Sequence, residues 1–419
     1  MPTRKPSSVD IVTYQVGFGD CFLLRIHYPG SVRSRSVLID FGSMKKSGYS
    51  LGQISQEIKS DCGGKLDLVV ATHRHKDHVH GFTLNSQGRG TGKVISDLNP
   101  SAVVMPWTED PRADPKAKRP TKKYGAHGPG RVQQLADMQT LAGALAEQSK
   151  IHRFAEEKGL RTQLRALGEN NLGNAKAMKN LREMGRRTYY AYHGMKLRLA
   201  RELPGVKVHV LGPPTLDQSE TIKKQRSKDQ DEFWHLQSMT TQQAIDSPLL
   251  FPGAKEIQDP VWGRWLRRRL RKARGEQLLS IVRSLDHAMN NTSLILLFEI
   301  GNKKLLFPGD AQYENWMYGL ERDWVKNLLK GVDVYKVGHH GSLNATPKTM
   351  LALFSKKRSR RRHGVMHSLL STMEGVHGSV DRRTEVPRRK LVRKLKDETK
   401  FTSTENFNGK ISKTISLDV

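Results

Sequence analysis

Four candidate metal ligands fall within six positions at His73-Arg74-His75-Lys76-Asp77-His78. Alternate residues of an extended segment point to the same side, so His73 and His75 can grip one ion together, while Asp77 and His78, at the turn that follows, can reach a second. Two ions held roughly 3.5–4 Å apart need a shared negative ligand and at least one more imidazole. Asp310, after Gly309 and an apolar strand, is the natural bridge. His339 or His340 in Gly338-His339-His340-Gly341-Ser342 can complete the second ion. Such a pair lowers the pKa of a bound water toward neutrality and neutralises charge on an attacked phosphate or carbonyl oxygen. Histidine and carboxylate donors suit Zn²⁺ at two sites, with Mn²⁺ or Fe²⁺ as alternatives. The plainer reading of Asp310 is a turn or N-cap aspartate before a helix near Tyr313. His80, His127 and His152 read as surface or packing residues.

These residues sit just past strand ends. Val9–Tyr14, Cys21–His27 and Ser36–Asp40 read as strands around the Gly17-Phe18-Gly19-Asp20 turn, with a helix near Gly52–Lys59. Lys65–Thr72 reads as a buried strand that delivers the chain into the histidine motif. Ala102–Trp107 and Val206–Leu211 add strands. Ser293–Ile300 and Lys304–Phe307 form a hairpin about Gly301-Asn302, and Val332–Val337 precedes the second histidine pair. Thr346-Pro347 looks like an N-cap followed by proline at the first helical position. Between these lie the loop-rich 87–130 region, a helical pattern from Val132, Leu135, Met138, Ala142 and Leu145 continuing to about Arg201, and a polar stretch at 215–290.

In this order and after strands, His73-Arg74-His75-Lys76-Asp77-His78, Gly309-Asp310 and Gly338-His339-His340-Gly341-Ser342 resemble the metallo-β-lactamase superfamily of metal-dependent hydrolases. The early Gly17-Phe18-Gly19-Asp20 and Asp40-Phe41-Gly42, the paired histidines before Gly341 and the Asn290-Asn291-Thr292-Ser293 turn are similar, more narrowly, to the hydrolase domain of the competence DNA-uptake channel, the ComEC type. The resemblance covers roughly residues 9–83, 206–212 and 288–345. It implies an α+β fold, a four-layered αββα sandwich with a helical insertion and the metals at one edge between the sheets. All of 1–419 would be one such domain, with inserts at about 87–205 (loop plus helices) and 215–287 (basic, partly helical) and a basic C-terminal segment at about 354–419. It further implies that His73 and His75 hold the first metal and Asp77 and His78 the second, with Asp310 bridging. His339 joins the second metal, because related hydrolases carry the ligand two positions before the glycine of the matching turn. Asp77, which orients the water or accepts its proton, and His340 take the catalytic roles. Many members supply a further histidine from the turn before the hairpin, where this chain has Asn291, with His287 upstream. Asn291 and His377 are further candidates at the site.

Charge selects among substrates. Lys and Arg number 71 against 41 Asp and Glu, a formal net charge of +30, which points to a polyanionic partner and away from cationic substrates. In the run Arg264–Arg274 a helix would carry a dense basic face (Arg264, Arg267, Arg268, Arg271, Lys272) beside Trp265, Leu266 and Leu270, and Lys356–Arg362 adds a second patch. Such arrays attract nucleic-acid phosphates. Two cysteines exclude a disulfide framework, no signal-type or membrane-spanning apolar run occurs, and a cytoplasmic setting is expected. Protein partners are not indicated. The expected activity is a metal-dependent phosphodiesterase or nuclease acting on DNA or RNA through a metal-activated water. The rivals are a hydrolase of a small anionic phosphodiester or nucleotide, and a non-catalytic nucleic-acid-binding or assembly module that keeps the fold.

Overall fold

The computed structural model describes residues 5–31, 33–111, 174–215, 217–219, 289–359, 364–376 and 385–419. The chain divides into two units, one formed by Met1–Arg112, Asn174–Ile222 and Asn290–Val419, the other by Ala113–Gly173 and Lys223–Met289. Of the second unit only Met289 is among the described residues, so the helical reading of 132–173 and the basic run at Arg264–Arg274 lie outside them.

The first unit is a mixed α+β structure with two mixed sheets. In the first sheet β1 (Ser8–Tyr14), β2 (Cys21–His27) and β3 (Arg35–Phe41) run antiparallel, and β4 (Leu68–Val70), β5 (Ala102–Pro106) and β6 (Thr188–Ala191) then add in parallel beyond β3. In the second, β7 (Val206–Gly212), β8 (Ile295–Ile300) and β9 (Lys303–Phe307) run antiparallel, and β10 (Val334–Lys336), β11 (His367–Leu370) and β12 (Lys400–Ser403) add in parallel beyond β9. The last strand, β13 (Ser412–Asp418), returns to the first sheet and pairs antiparallel with β1.

Alternation along these strands sends side chains to two faces. Val9, Phe22, Leu24, Val37, Ile39, Leu68 and Val104 from the first sheet and Val210, Leu296, Phe298, Leu305, Phe307 and Val334 from the second meet in one core. The in-between residues Val12, Leu23, Leu38, Val69 and Val103 pack on helices α1 (Leu51–Asp61), α3 (Thr91–Asp97) and α4 (Ala175–Met184). On the second sheet, Ile295, Leu297, Leu306 and Tyr335 pack on α5 (Tyr313–Leu320), α6 (Asp323–Lys330), α7 (Lys348–Leu353) and α8 (Arg389–Glu398). Helix α1 starts where Ser50 and Gln53 close a capping box, and it buries Ile54 and Ile58.

Two expectations are corrected. The spacing predicts helix to about Arg201, but Thr188–Ala191 forms β6 against β5, as its Thr-Tyr-Tyr sequence suits a pleated, half-buried surface. Helix α7 begins after Pro347, not on a Thr346 cap, because the Thr346 hydroxyl is hydrogen-bonded to the Tyr335 hydroxyl at 3.0 Å. Within the expected insert at 87–205, α3, β5, α4 and β6 belong to the first unit's sheet and its cover, and within 354–419 β11, β12 and β13 complete the two sheets. No described helix is long and apolar enough to cross a membrane.

Phe298 is fully buried at the centre of the core, edge-on to Phe307, whose ring in turn meets Phe22 of the opposite sheet. Phe298→Ala is expected to cost about 3–5 kcal/mol, since the two sheets cannot close on the cavity. Urea unfolding of the purified variant measures the loss.

Candidate metal centre

Parallel pairing brings the carboxyl ends of neighbouring strands to one edge of a sheet. In the first sheet β3 ends near Asp40 and β4 leads into Thr72–His78, while the antiparallel β2 starts at the same edge, with Cys21 opposite Phe41 and Asp20 just before it. In the second, β9 leads to Asp310 and β10 to His339-His340, and the 290–294 turn enters β8 beside the end of β9, Leu296 opposite Phe307. The two edges meet. Leu294 donates its N–H to Thr72 O at 2.9 Å, and His340 Nε2 lies 2.8 Å from Asp77 Oδ2.

After β4 the chain stays extended through His75, then turns once in α2 (Lys76–Val79). His73 Nε2 and His75 Nδ1 are 3.0 Å apart, so the two alternate histidines do face each other. Asp77 and His78 are carried by the single turn, which is clamped by backbone. Asp20 N–H donates to Asp77 O at 2.9 Å, and Gly42 packs so closely that a methyl group there would sit 2.4 Å from both the Asp77 carbonyl carbon and the His78 nitrogen.

Asp77, His78, Asp310 and His340 are all buried and each offers one ligand atom, the four lying within 4.8 Å of one another. His78 Nε2 is 3.1 Å from Asp310 Oδ2 and 3.9 Å from Asp77 Oδ1, and His340 Nε2 is 3.8 Å from Asp310 Oδ2. Donors about 2.0–2.2 Å from a tetrahedral ion stand about 3.3–3.6 Å from one another, so these spacings suit one. Asp77 Oδ1 and His78 Nε2, both fully buried, make no hydrogen bond to any described residue, as ligand atoms aimed at an ion should. The four residues can hold a metal ion.

Their supports fix which atoms face inward. His78 donates Nδ1–H to Asp40 Oδ2 at 2.8 Å, and Asp40 is itself held by the Thr72 N–H at 2.7 Å and the Thr72 hydroxyl at 2.7 Å. His340 donates Nδ1–H to Ser371 O at 3.0 Å. Both rings therefore present Nε2 as the metal-binding nitrogen. Asp40, His339 and His340 have φ of 55°, 45° and 50°. Left-handed backbone costs energy in residues other than glycine and is kept where the surroundings demand it.

Charge is concentrated here. Burial opposes a charged His78, but Asp310, Asp77, Asp40 and Asp20 together outweigh it and hold the ring well above the ordinary histidine range. Burial likewise opposes ionised Asp77, yet His78 and His340 draw its carboxyl below the usual range, and His78 with Lys336 does the same for Asp310. For His73 burial is reinforced by His78 and His75, and its pKa falls well below the ordinary value.

The expected ligands divide accordingly. Asp77, His78 and Asp310 come together with His340, which was expected in a catalytic role. His339, expected as a ligand, keeps its side chain a quarter exposed with Nε2 3.9 Å from Asp310 Oδ2, and its backbone N–H donates to Asp310 Oδ1 at 3.1 Å. The two consecutive left-handed residues turn the second imidazole inward rather than the first. His73 and His75 are buried and paired, with the His73 ring centroid 4.1 Å from that of His78. Asn291 is buried in the 290–294 turn, its Nδ2 donating to Glu314 Oε2 at 3.1 Å while Oδ1 makes no hydrogen bond to any described residue. His287, His377, Arg264, Arg267, Arg268, Arg271 and Lys272 lie outside the described residues. Asp20 and Asp40, which the sequence offers only within the Gly17-Phe18-Gly19-Asp20 and Asp40-Phe41-Gly42 segments, and Lys336, which reads from sequence as a solvated lysine or one that faces the substrate, are buried and support the ligands. No protein-family model matches this chain, and no curated protein does.

Two outcomes are expected. Gly42→Ala should weaken divalent-metal binding by about tenfold or more, through displacement of the Asp77–His78 peptide, as read by competition with a chromogenic chelator. Because the carboxylates keep His78 protonated, metal must displace a proton, so affinity should rise with pH and calorimetry at pH 7 in buffers of different ionisation enthalpy should show proton release. Release of no proton would remove His78 from the ligand set.

Proposed function

We propose that this chain is a metal-dependent hydrolase of the metallo-β-lactamase type, and that it acts as a phosphodiesterase on DNA or RNA. The observation that carries the reading is the group of four buried ligand atoms at the junction of two sheet edges. The stacking of helices, sheet, sheet and helices around three cores agrees with the four-layered αββα arrangement that the motifs imply.

Zn²⁺ suits these donors, and Asp77, His78, Asp310 and His340 would hold it, with His73 and His75 as the further position that the resemblance implies. When bound, such an ion makes a water acidic enough to deprotonate near neutrality and offsets charge on the attacked phosphate. The chain's own residues do the rest. Asp40 and the Ser371 carbonyl lock the two imidazoles, so the ligand geometry needs little reorganisation. Asp77, whose Oδ1 would be the ligand atom and whose Oδ2 lies 2.8 Å from His340 Nε2, is assigned the role of orienting the attacking water. A cytoplasmic setting goes with Cys21 and Cys62, both buried free thiols.

The polyanionic substrate rests on the +30 charge. Labelled single- and double-stranded DNA and RNA, incubated with the protein and Zn²⁺ or Mn²⁺, should be cleaved, and Asp77→Ala and His340→Ala should each lower the rate by about a hundredfold or more. Binding should weaken steeply as salt is raised. Unchanged cleavage in both variants sinks the assigned site. Turnover of bis(p-nitrophenyl) phosphate alone would favour a small anionic substrate, and salt-sensitive binding with no turnover would favour the assembly module.

A further inference from the structure

Helix α8 (Arg389–Glu398) starts against the candidate metal centre. Arg388 donates its N–H to Gly341 O at 3.1 Å, one residue beyond the ligand His340, and a methyl group on Gly341 would sit 2.8 Å from Pro387 Cβ. The helix then runs back along the second sheet into β12, away from the edge that carries the ligands. Leu391 and Leu395 bury one face. Its exposed positions are Arg389, Lys390, Arg393, Lys394, Lys396 and Asp397, all cationic but the last.

This charge works against the helix itself. Arg389 with Arg393 and Lys390 with Lys394 are like-charged pairs four residues apart, and the first turn, at the positive end of the helix dipole, holds Arg389 and Lys390 and no acid. Compensation is slight. Lys394 reaches Glu398 at 2.9 Å, and Arg389 lies 3.7 Å from Glu374 with the two side chains 65% and 66% exposed, a geometry that contributes little. Lys390 and Arg393 have no ion pair with a described residue. Burying two leucines needs no such outer face, so its charge answers to a partner.

The second basic run of the sequence joins this face. Lys357 pairs with Glu398 at 3.3 Å and Arg358 Nε donates to Thr399 O at 3.2 Å, which brings the exposed Arg358 and Lys400 to the far end of α8. Arg389, Arg393 and Lys396 follow one line along the helix, about 4.5–6 Å apart in axial rise. That matches phosphates one or two nucleotides apart on a strand rising about 3.4 Å per nucleotide.

We infer that the outer face of α8 is the nucleic-acid guide of the candidate site, holding the backbone phosphates of a DNA or RNA strand and leading it toward the Gly338–Ser342 turn. This rests on the polyanionic-substrate reading above and adds the surface that takes the strand.

The test uses the full chain and labelled single-stranded DNA and RNA with a cleavage-resistant phosphorothioate backbone. Acetylation by a small active ester, read by peptide mass spectrometry, should be suppressed at Lys390, Lys394 and Lys396 in the complex and unchanged at Lys59, Lys176 and Lys179, which are exposed elsewhere. Arg389→Gln, Lys390→Gln, Arg393→Gln and Lys394→Gln combined should weaken binding about tenfold or more at low salt and flatten the slope of log affinity against log salt by up to about 3, at about 0.7–0.9 per lost contact. The same loss of charge through Lys59→Gln, Lys176→Gln, Lys179→Gln and Lys410→Gln should leave affinity within about threefold. Should the α8 variant not fold, the acetylation pattern of the wild type decides. Equal loss of binding in the two variants, or free acetylation of the α8 lysines in the complex, overturns the inference, as does protection by phosphatidylserine vesicles and not by oligonucleotides. Cleavage of unmodified nucleic acid without that protection removes the guide and leaves the proposed function. Protection with salt-sensitive binding and no cleavage keeps the guide and removes the phosphodiesterase.

Discussion

Four carboxylates, those of Asp20, Asp40, Asp77 and Asp310, are buried where the edges of two sheets meet, and burying a carboxylate without compensation is among the costliest things a fold can do. Each finds a counter-charge or donor within a few ångströms. Asp40 takes the His78 ring and the Thr72 N–H and hydroxyl, Asp20 takes Lys336, and Asp77 and Asp310 are shared between His78 and His340. His78 is the hinge of this arrangement, since its two nitrogens face the supporting carboxylate on one side and the ligand group on the other.

That arrangement depends on close packing against the backbone of two glycines. Gly42 lies against the Asp77–His78 peptide, and Gly309, at φ 55°, lies against Thr72, where a methyl group would sit 2.7 Å from the threonine Cβ. Side chains at either place would wedge the sheet edges apart. The left-handed pair His339-His340 adds a strained turn that spends one residue's amide on Asp310 and sends the next residue's ring into the cluster. Strain of this kind is worth keeping where a geometry has to be held against relaxation.

The cationic excess works at a longer range than these contacts. A site of buried carboxylates would by itself repel the proposed phosphodiester substrate, and a metal ion held there would offset that only locally. A chain carrying +30 raises the concentration of a polyanion around the molecule, with a range set by salt. The two effects divide the labour between attraction and bond cleavage in the proposed function.

Much was legible in the chain itself. Alternating apolar runs marked the strands from Val9 to Val337, and their ends marked where polar residues would gather, because strand periodicity and turn chemistry are local. The i, i+2 spacing of His73 and His75 and the following Asp77-His78 pair were readable for the same reason. Other features had no local signal. The choice between His339 and His340 depends on a turn whose backbone is set by Asp310, 29 residues away. The roles of Asp40 and Lys336 depend on which strands lie side by side, and β6 was hidden inside a helical pattern until β5 offered it an edge. Sequence spacing decides what one segment can present, but only tertiary structure decides which segments share a buried volume, and there the need to pair every charge selects the partners.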